Sequence, residues 1–292
     1  MKKMDEKGVW SCFIEGASQG DAYKYRITQC GGRVVDKMDP YAFYSELRPN
    51  TASIVVEMGY HWTDDKWMMN RRVGFEDPIN IYEVHLGSWK LDENGNWPTY
   101  RSIAKELIAY VKEHHFTHIE LMPLNEHPFD GSWGYQCSGY FAATSRYGTV
   151  QDLMYFVNAC HKAGIGVIMD YVPVHFVRDD FSLSKFDGSC VYEYEKEEDS
   201  YSQWGTSNFD LWKETVRSFL MSSASFWLDQ YHFDGLRTVS YTHLDVYKRQ
   251  VVQSLLDGVL PKLIPLLITL GSVSYTHLDV YKRQIGRSCP II

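Results

Sequence analysis

Apolar residues follow two rhythms along this 292-residue chain. Between residues 9 and 57 alternation dominates, in VWSCFI, in YKYRIT with Tyr23, Tyr25 and Ile27 on one face, and in SIVVE at 53–57. Period-two patterning predicts short, half-buried strands, and Gly31-Gly32 suits the tight turn of a hairpin. The strands are too few for a complete antiparallel sandwich, so further strands are expected before Met1. From about residue 79 strands and helices alternate. Ile79–His85, His118–Met122 and Ile165–Val172 read as strands, and Phe233–Arg237 as the start of a fourth. The third is a continuous apolar run, as a strand covered on both faces requires. Between them Ile103, Leu107, Tyr110 and Val111 recur at helical spacing behind Thr99 as N-cap. Thr149 and Asp152 form a variant capping box before Leu153, Val157 and Cys160, with Gly164 as C-terminal cap. Val216, Phe219, Leu220, Trp227 and Tyr231 mark a third helix.

Strand–helix–strand order predicts a parallel sheet. Four βα units in about 160 residues make half of a (β/α)8 barrel, which typically takes about 250. The expected fold is therefore α/β: a partial TIM barrel of four βα units over 79–238, a linker over 61–78, and part of an antiparallel β-sandwich over 1–60. After Thr238 the pattern changes. VSYTHLDVYKRQ occurs identically at 239–250 and 273–284, 34 positions apart. Helical repeats of that period exist, but true repeats share their apolar framework throughout, and here the residues between the copies match nothing upstream. The peptide resembles a translated adaptor or assembly artefact, so 239–292 is expected to be a non-native tail outside the fold.

Composition narrows the function. There are 29 basic and 37 acidic residues, a net charge of −8, and no clustered Lys/Arg face, which argues against nucleic acid as a partner. The 9 Trp, 21 Tyr and 14 Phe would suit stacking on sugar faces, although core packing is the commoner use of any single ring. Cysteines 12, 30, 137, 160, 190 and 289 show neither CxxC pairing nor a metal-ligand rhythm, which predicts reduced thiols in a cytoplasmic protein and no metal site. No apolar stretch follows the first lysines as a secretory signal would require. Val259–Leu270, interrupted by Pro261, Lys262 and Pro265, falls short of the ~20 residues of a membrane span, and no membrane partner is expected.

Tyr135 follows the second strand, Asp170 and His175 close the third, and Arg237 closes the fourth. Singly, each has a structural reading: a packed tyrosine, a loop or capping aspartate, a structural histidine, an arginine neutralising a carboxylate. Together they fall on C-terminal strand ends, where the side chains of a barrel converge.

The surrounding segments are YEVHLGSW at 82–89, HIELMPLNEHPFDGSWGYQ at 118–136, GYFAATSRYGT at 139–149, GVIMDYVPVHF at 166–176 and YHFDGLR at 231–237. They resemble the glycogen (1,4-α-glucan) branching enzymes of the α-amylase superfamily, glycoside hydrolase family 13. KMDPYAFYSELRPNTAS is similar to the second half of the carbohydrate-binding β-sandwich that precedes the barrel in that family. The resemblance implies cleavage of an α-1,4 bond with retention and transfer of the glucan segment to a 6-hydroxyl, in glycogen biosynthesis, with α-glucan as partner and no metal or organic cofactor. It makes Tyr135 a stacking residue, Asp170 and His175 ligands to sugar hydroxyls, and Arg237 the residue that orients the nucleophile. The family's nucleophilic aspartate stands two residues after that arginine, where this chain has Val239, and the acid/base glutamate has no counterpart. The chain is thus expected to be an inactive fragment of a branching enzyme. The alternatives are a non-catalytic glucan-binding protein, and a debranching or hydrolytic relative, which would need a different WGY loop.

Overall fold

A computed structural model describes residues 1–4, 10–71 and 78–238, together with the backbone of Leu267–Ile268. The N-terminal unit is built from short antiparallel pairs. β1 (Lys2–Lys3) pairs with β2 (Trp10–Ser11), β3 (Ala22–Tyr23) with β6 (Ser53–Ile54), and β4 (Tyr25–Thr28) with β5 (Val34–Lys37). Gly31 and Gly32 take φ of +99° and +86° between β4 and β5, conformations open to glycine because it has no Cβ to clash. Alternation puts Tyr23 and Tyr25 on one side, where both hydroxyls donate to Asp39 Oδ2, at 2.8 and 3.2 Å. The unit is bonded to the rest of the chain: Lys37 Nζ donates to the Ser184 carbonyl and Gln29 Nε2 to that of Lys185.

Within 61–78 the chain forms α1 (Asp65–Asn70). Trp62 stacks on His232 with ring centroids 3.7 Å apart, and Trp67 Nε1 donates to Asp234 at 2.8 Å. The strand–helix alternation then runs β7 (Ile81–Val84), α2 (Leu86–Trp89), α3 (Tyr100–Glu113), β8 (His118–Leu121), β9 (Asn125–Glu126), β10 (Gly139–Ala143), α4 (Val150–Lys162), β11 (Gly166–Tyr171), β12 (His175–Phe176), α5 (Glu197–Ser200), β13 (Ser207–Asn208), α6 (Glu214–Gln230), β14 (Gly235–Thr238) and β15 (Leu267–Ile268). The central sheet is parallel, in the order β15-β14-β11-β8-β7. Residues 239–266 and 269–292 of the expected tail lie outside the described residues, while within it the backbone of Leu267–Ile268 pairs with Leu236 and Arg237.

Local chemistry accounts for the helix ends. Thr99 and Thr149 each accept from the backbone N–H three residues on, and Ser102 and Asp152 bond back to the capping residue, completing a capping box at α3 and at α4. These bonds satisfy N–H groups that a helix start leaves without partners. Beyond α4, Gly164 takes φ +78°, as the residue after a helix C-cap commonly does.

The sheet has two buried faces. Val84, Ile119, Leu121, Val167, Met169, Tyr171 and Leu236 belong to one apolar core with Leu107 and Val111 of α3, Leu153 and Val157 of α4, and Phe219, Leu220 and Trp227 of α6. Because side chains alternate along a strand, Glu83, Glu120, Asp170 and Arg237 point to the opposite face, away from the helices. Of these Glu120 and Asp170 are buried, Arg237 is partly buried and Glu83 is exposed, and the two buried carboxyls require partners there. Among the described residues no helix is long and apolar enough to cross a membrane, and Cys12, Cys30, Cys137, Cys160 and Cys190 are free thiols.

Candidate functional site

The polar face of the sheet gathers at the C-terminal ends of its strands. Parallel register sets Asp170 beside Arg237 and Glu83 beside Glu120. Arg237 Nη1 lies 3.0 Å from Asp170 Oδ2, 3.2 Å from Glu120 Oε1 and 3.7 Å from Glu83 Oε1. The Tyr135 hydroxyl donates to the same Asp170 oxygen at 2.7 Å. Three of the four residues expected from sequence are therefore in direct contact. His175 joins the same region less directly. Its ring centroid lies 5.2 Å from that of Trp204, whose carbonyl accepts from Nε2 of Gln136, the residue after Tyr135.

Burial sets the electrostatics. Asp170 is fully buried, which pushes its carboxyl up to about 6 despite the opposing pull of Arg237. Burial and the neighbouring Asp170 push Glu120 up to about 7. Burial lowers His175 to about 4, so its ring is neutral at pH 7, and its Nδ1 has no hydrogen-bond partner among the described residues. Burial, then the Asp170 charge, raises the Tyr135 hydroxyl, which keeps its proton and acts as a donor. Burial works against the charge on Arg237, but Asp170, Glu120 and Glu83 together outweigh it. Carboxylate oxygens of Glu83, Glu120 and Asp170 lie within 4.8 Å of one another, close enough to share a cation. The Arg237 guanidinium already supplies positive charge to all three.

The loop carrying Tyr135 is held by the rest of its own sequence motif. Asn125 Nδ2 donates to the carbonyls of Gly139 and Tyr140. Glu126 accepts from Ser145 and from Arg146 Nη1, the latter at 2.7 Å. His127 Nδ1 bonds the Asn125 carbonyl at 2.8 Å, and burial drives the ring down to about 4. Asp130 accepts from Arg146 and also from Arg48 of the N-terminal unit. Gly134 takes φ +90°, and a Cβ there would meet the Pro123 carbonyl oxygen at 2.2 Å. Most of NEHPFDGSWGYQ thus builds a scaffold that aims Tyr135. Glu83 and Glu120 were not anticipated as site residues, although a glutamate inside each apolar strand, in IYEV and HIEL, was a legible signal. Val239 lies outside the described residues.

This arrangement has clear relatives. The catalytic-domain model of alpha amylase matches residues 84–207, and carbohydrate-binding module 48, the isoamylase N-terminal domain, matches residues 1–42. The 1,4-alpha-glucan branching enzyme of Geobacillus stearothermophilus is 55% identical over 81% of this chain, and that of Fusobacterium nucleatum 49% identical over 84%. The chain belongs to the 1,4-α-glucan branching enzyme family. It spans 38% and 40% of the length of those two curated relatives. Among solved structures, a putative alpha amylase from Salmonella typhimurium superposes with TM-score 0.67 at 27% identity, covering 83% of this chain and 38% of that one. The catalytic module of the glycogen-degrading pneumococcal virulence factor SpuA superposes with TM-score 0.65 at 18% identity, covering 82% and 39%, a likeness of fold alone. The α/β architecture of this branching-enzyme segment is accordingly of the TIM-barrel type.

Proposed function

We propose that this chain is the glucan-gripping half of a branching enzyme's catalytic region, able to hold an α-glucan and unable to transfer it. The contact between Tyr135, Asp170 and Arg237 carries the reading. Residues 79–238 would supply four βα units of the barrel and residues 1–60 part of a carbohydrate-binding sandwich, which the match of module 48 to residues 1–42 supports. Tyr135 would present its ring to one glucose unit while Asp170 and the neutral His175 accept from, or donate to, its hydroxyls. A buried, already ionised acceptor discriminates sharply for hydroxyl-bearing ligands, because an unmatched polar group in such a site is costly. In the parent enzyme Arg237 would orient the nucleophile and keep it ionised. Retaining transfer needs a nucleophilic carboxylate and an acid roughly 5–5.5 Å apart, and valine at position 239 cannot form the covalent intermediate. The acidic net charge and the free thiols support a cytoplasmic protein with no nucleic-acid or membrane partner.

Two measurements test this. Maltoheptaose should bind the full chain in a calorimetric titration, and Tyr135→Ala together with Asp170→Asn should abolish binding. The iodine absorbance of amylose incubated with the chain should stay constant. A fall in absorbance with new α-1,6 linkages would show that another group supplies the nucleophile. A stand-alone glucan-binding role shares these residues and is favoured by Val239 alone. Sequencing the source DNA across codon 238 separates the two, since an in-frame aspartate two residues after Arg237 would remove its support.

A further inference from the structure

Asp130, in the loop that carries Tyr135, accepts hydrogen bonds from two guanidiniums that belong to different parts of the chain. Arg146 donates to its Oδ1 from Nε at 2.9 Å and from Nη2 at 2.8 Å, and is itself buried and bonded through Nη1 to Glu126. Arg48 reaches the same carboxylate from the N-terminal unit, with Nε on Oδ1 and Nη2 on Oδ2, the paired geometry of a guanidinium fork. Both guanidiniums also lie over the Trp97 ring, 5.1 and 6.0 Å from its centroid. Two cations brought together repel unless an anion is shared between them, and Asp130 is that anion. Arg48 is anchored at its own end as well. In its turn the Glu46 N–H donates to the Ala52 carbonyl and the Ala52 N–H to the Glu46 carboxylate, each at 2.9 Å, and the chain runs directly into β6, paired with β3.

A short bonded path joins Asp130 to the sugar site. Its carbonyl accepts from the Trp133 N–H and the Ser132 carbonyl from the Tyr135 N–H, both at 3.0 Å, and Gly134 between them is packed against the Pro123 carbonyl. The Tyr135 hydroxyl then donates to Asp170 Oδ2 at 2.7 Å. A single partly exposed ion pair contributes little to stability, yet this one ties a bonded turn of one unit to the loop that aims a binding residue in another. From this path, and resting on the glucan-binding reading above, we infer that Arg48 is a positioning residue for the sugar site, holding the Tyr135 hydroxyl on Asp170 through Asp130. The N-terminal unit thereby contributes to the grip on glucan through a contact that itself touches no sugar. Asp170 also faces Arg237 of β14, Glu120 of β8 and Glu83 of β7. Burial raises its carboxyl, Arg237 and then the Tyr135 hydroxyl oppose that rise, and Glu83 adds to it. Losing the Tyr135 bond therefore lifts the pH at which Asp170 takes up its proton.

The test follows maltoheptaose affinity of the full chain against pH by calorimetric titration, for wild type, Arg48→Ala, Arg48→Lys, Tyr135→Phe and the double variant Arg48→Ala/Tyr135→Phe. Arg48→Ala should weaken binding roughly fivefold at neutral pH, the scale of coupling within one hydrogen-bonded network. Its low-pH midpoint, set in wild type by Asp170 at about 6, should rise by about half a pH unit or more. Tyr135→Phe should raise the midpoint in the same direction, and the double variant should go no higher than Tyr135→Phe alone. Arg48→Lys keeps the charge but not the paired donors, and should fall between wild type and Arg48→Ala in both readings. Unchanged affinity in Arg48→Ala, midpoint shifts that add in the double variant, or weaker affinity with an unmoved midpoint would each overturn the inference, the last being what a purely structural role of Arg48 produces. Failure of wild type to bind maltoheptaose would instead overturn the glucan-binding reading on which it rests.

Discussion

Replacing His161 by leucine should be among the most damaging single changes at the end of the sheet away from the site. His161 Nδ1 donates to Asp64 Oδ2 at 2.7 Å and Nε2 to Asp234 Oδ2 at 2.9 Å, with all three side chains almost completely buried. Both ring nitrogens can donate only in the imidazolium, so one positive charge lies between two carboxylates. Asp234 also accepts from the Val167 N–H at the start of β11 and from Trp67, and Asp64 bonds to His232. The cluster therefore ties α4, β11, β14 and the segment before β7 together. Leucine would preserve volume but leave both carboxylates without their main cation, a change that costs about 3–5 kcal/mol. With a urea m-value of about 2 kcal/mol/M the unfolding midpoint should fall by roughly 1.5–2.5 M. Tryptophan fluorescence can follow the transition, and adding Asp234→Asn should recover part of the loss, a coupling of about 1–3 kcal/mol.

The pH dependence of that difference carries a definite sign. Burial alone would lower His161, but hydrogen bonds to Asp234 and Asp64 outweigh it and raise its pKa above 6.5. Its contribution is thus complete below pH 6.5 and is lost as pH rises through the raised value. Burial opposes the charge on Asp64 and Asp234, yet bonding to His161 lowers both below 3.8, so their contribution holds above pH 3.8 and fades as pH falls through the lowered values. Wild type and His161→Leu should differ most between these limits. A difference under about 1 kcal/mol, or one that is flat across pH 4–9, would refute the charged clamp.

Three further outcomes bear on the site. Gly134→Ala should cost about 1–3 kcal/mol and abolish maltoheptaose binding, because the added Cβ displaces the loop that aims Tyr135; a variant of wild-type melting temperature and affinity would contradict the packing described. Glu120→Gln should stabilise the chain by about 1 kcal/mol at pH 8 and hardly change it at pH 4. Burial raises that carboxyl from 4.5 to about 7, so ionising it removes stability as pH rises through this window, and destabilisation at pH 8 would show that pairing with Arg237 prevails. Glucan affinity should decline below about pH 6 as Asp170 takes up its proton, a trend that Asp170→Asn would abolish together with binding, whereas a flat profile down to pH 4.5 would remove Asp170 from the sugar contact.

Much of this was legible in one dimension because local rules act on neighbours in sequence. Thr99 and Thr149 cap helices with atoms three residues away, Gly31-Gly32 turns a hairpin through its own backbone freedom, and the largely apolar run 166–171 is a strand buried on both faces. The placing of Asp170 and Arg237 near strand ends followed from the same periodicity, whereas Tyr135 sits in the loop between β9 and β10. What the pattern could not show is which charges meet. Glu83 and Glu120 looked like isolated polar residues in apolar strands until parallel register brought them against Arg237. Asp64, His161 and Asp234 are separated by 97 and 73 positions and share no local motif, yet two of their hydrogen bonds close one buried cluster. Sequence alone determined the main strands and helices of the central sheet and the residue types available for chemistry, since those depend on short-range sterics and burial. Tertiary structure decided the partners, because electrostatic and hydrogen-bond energies depend on distances in space that no spacing along the chain encodes.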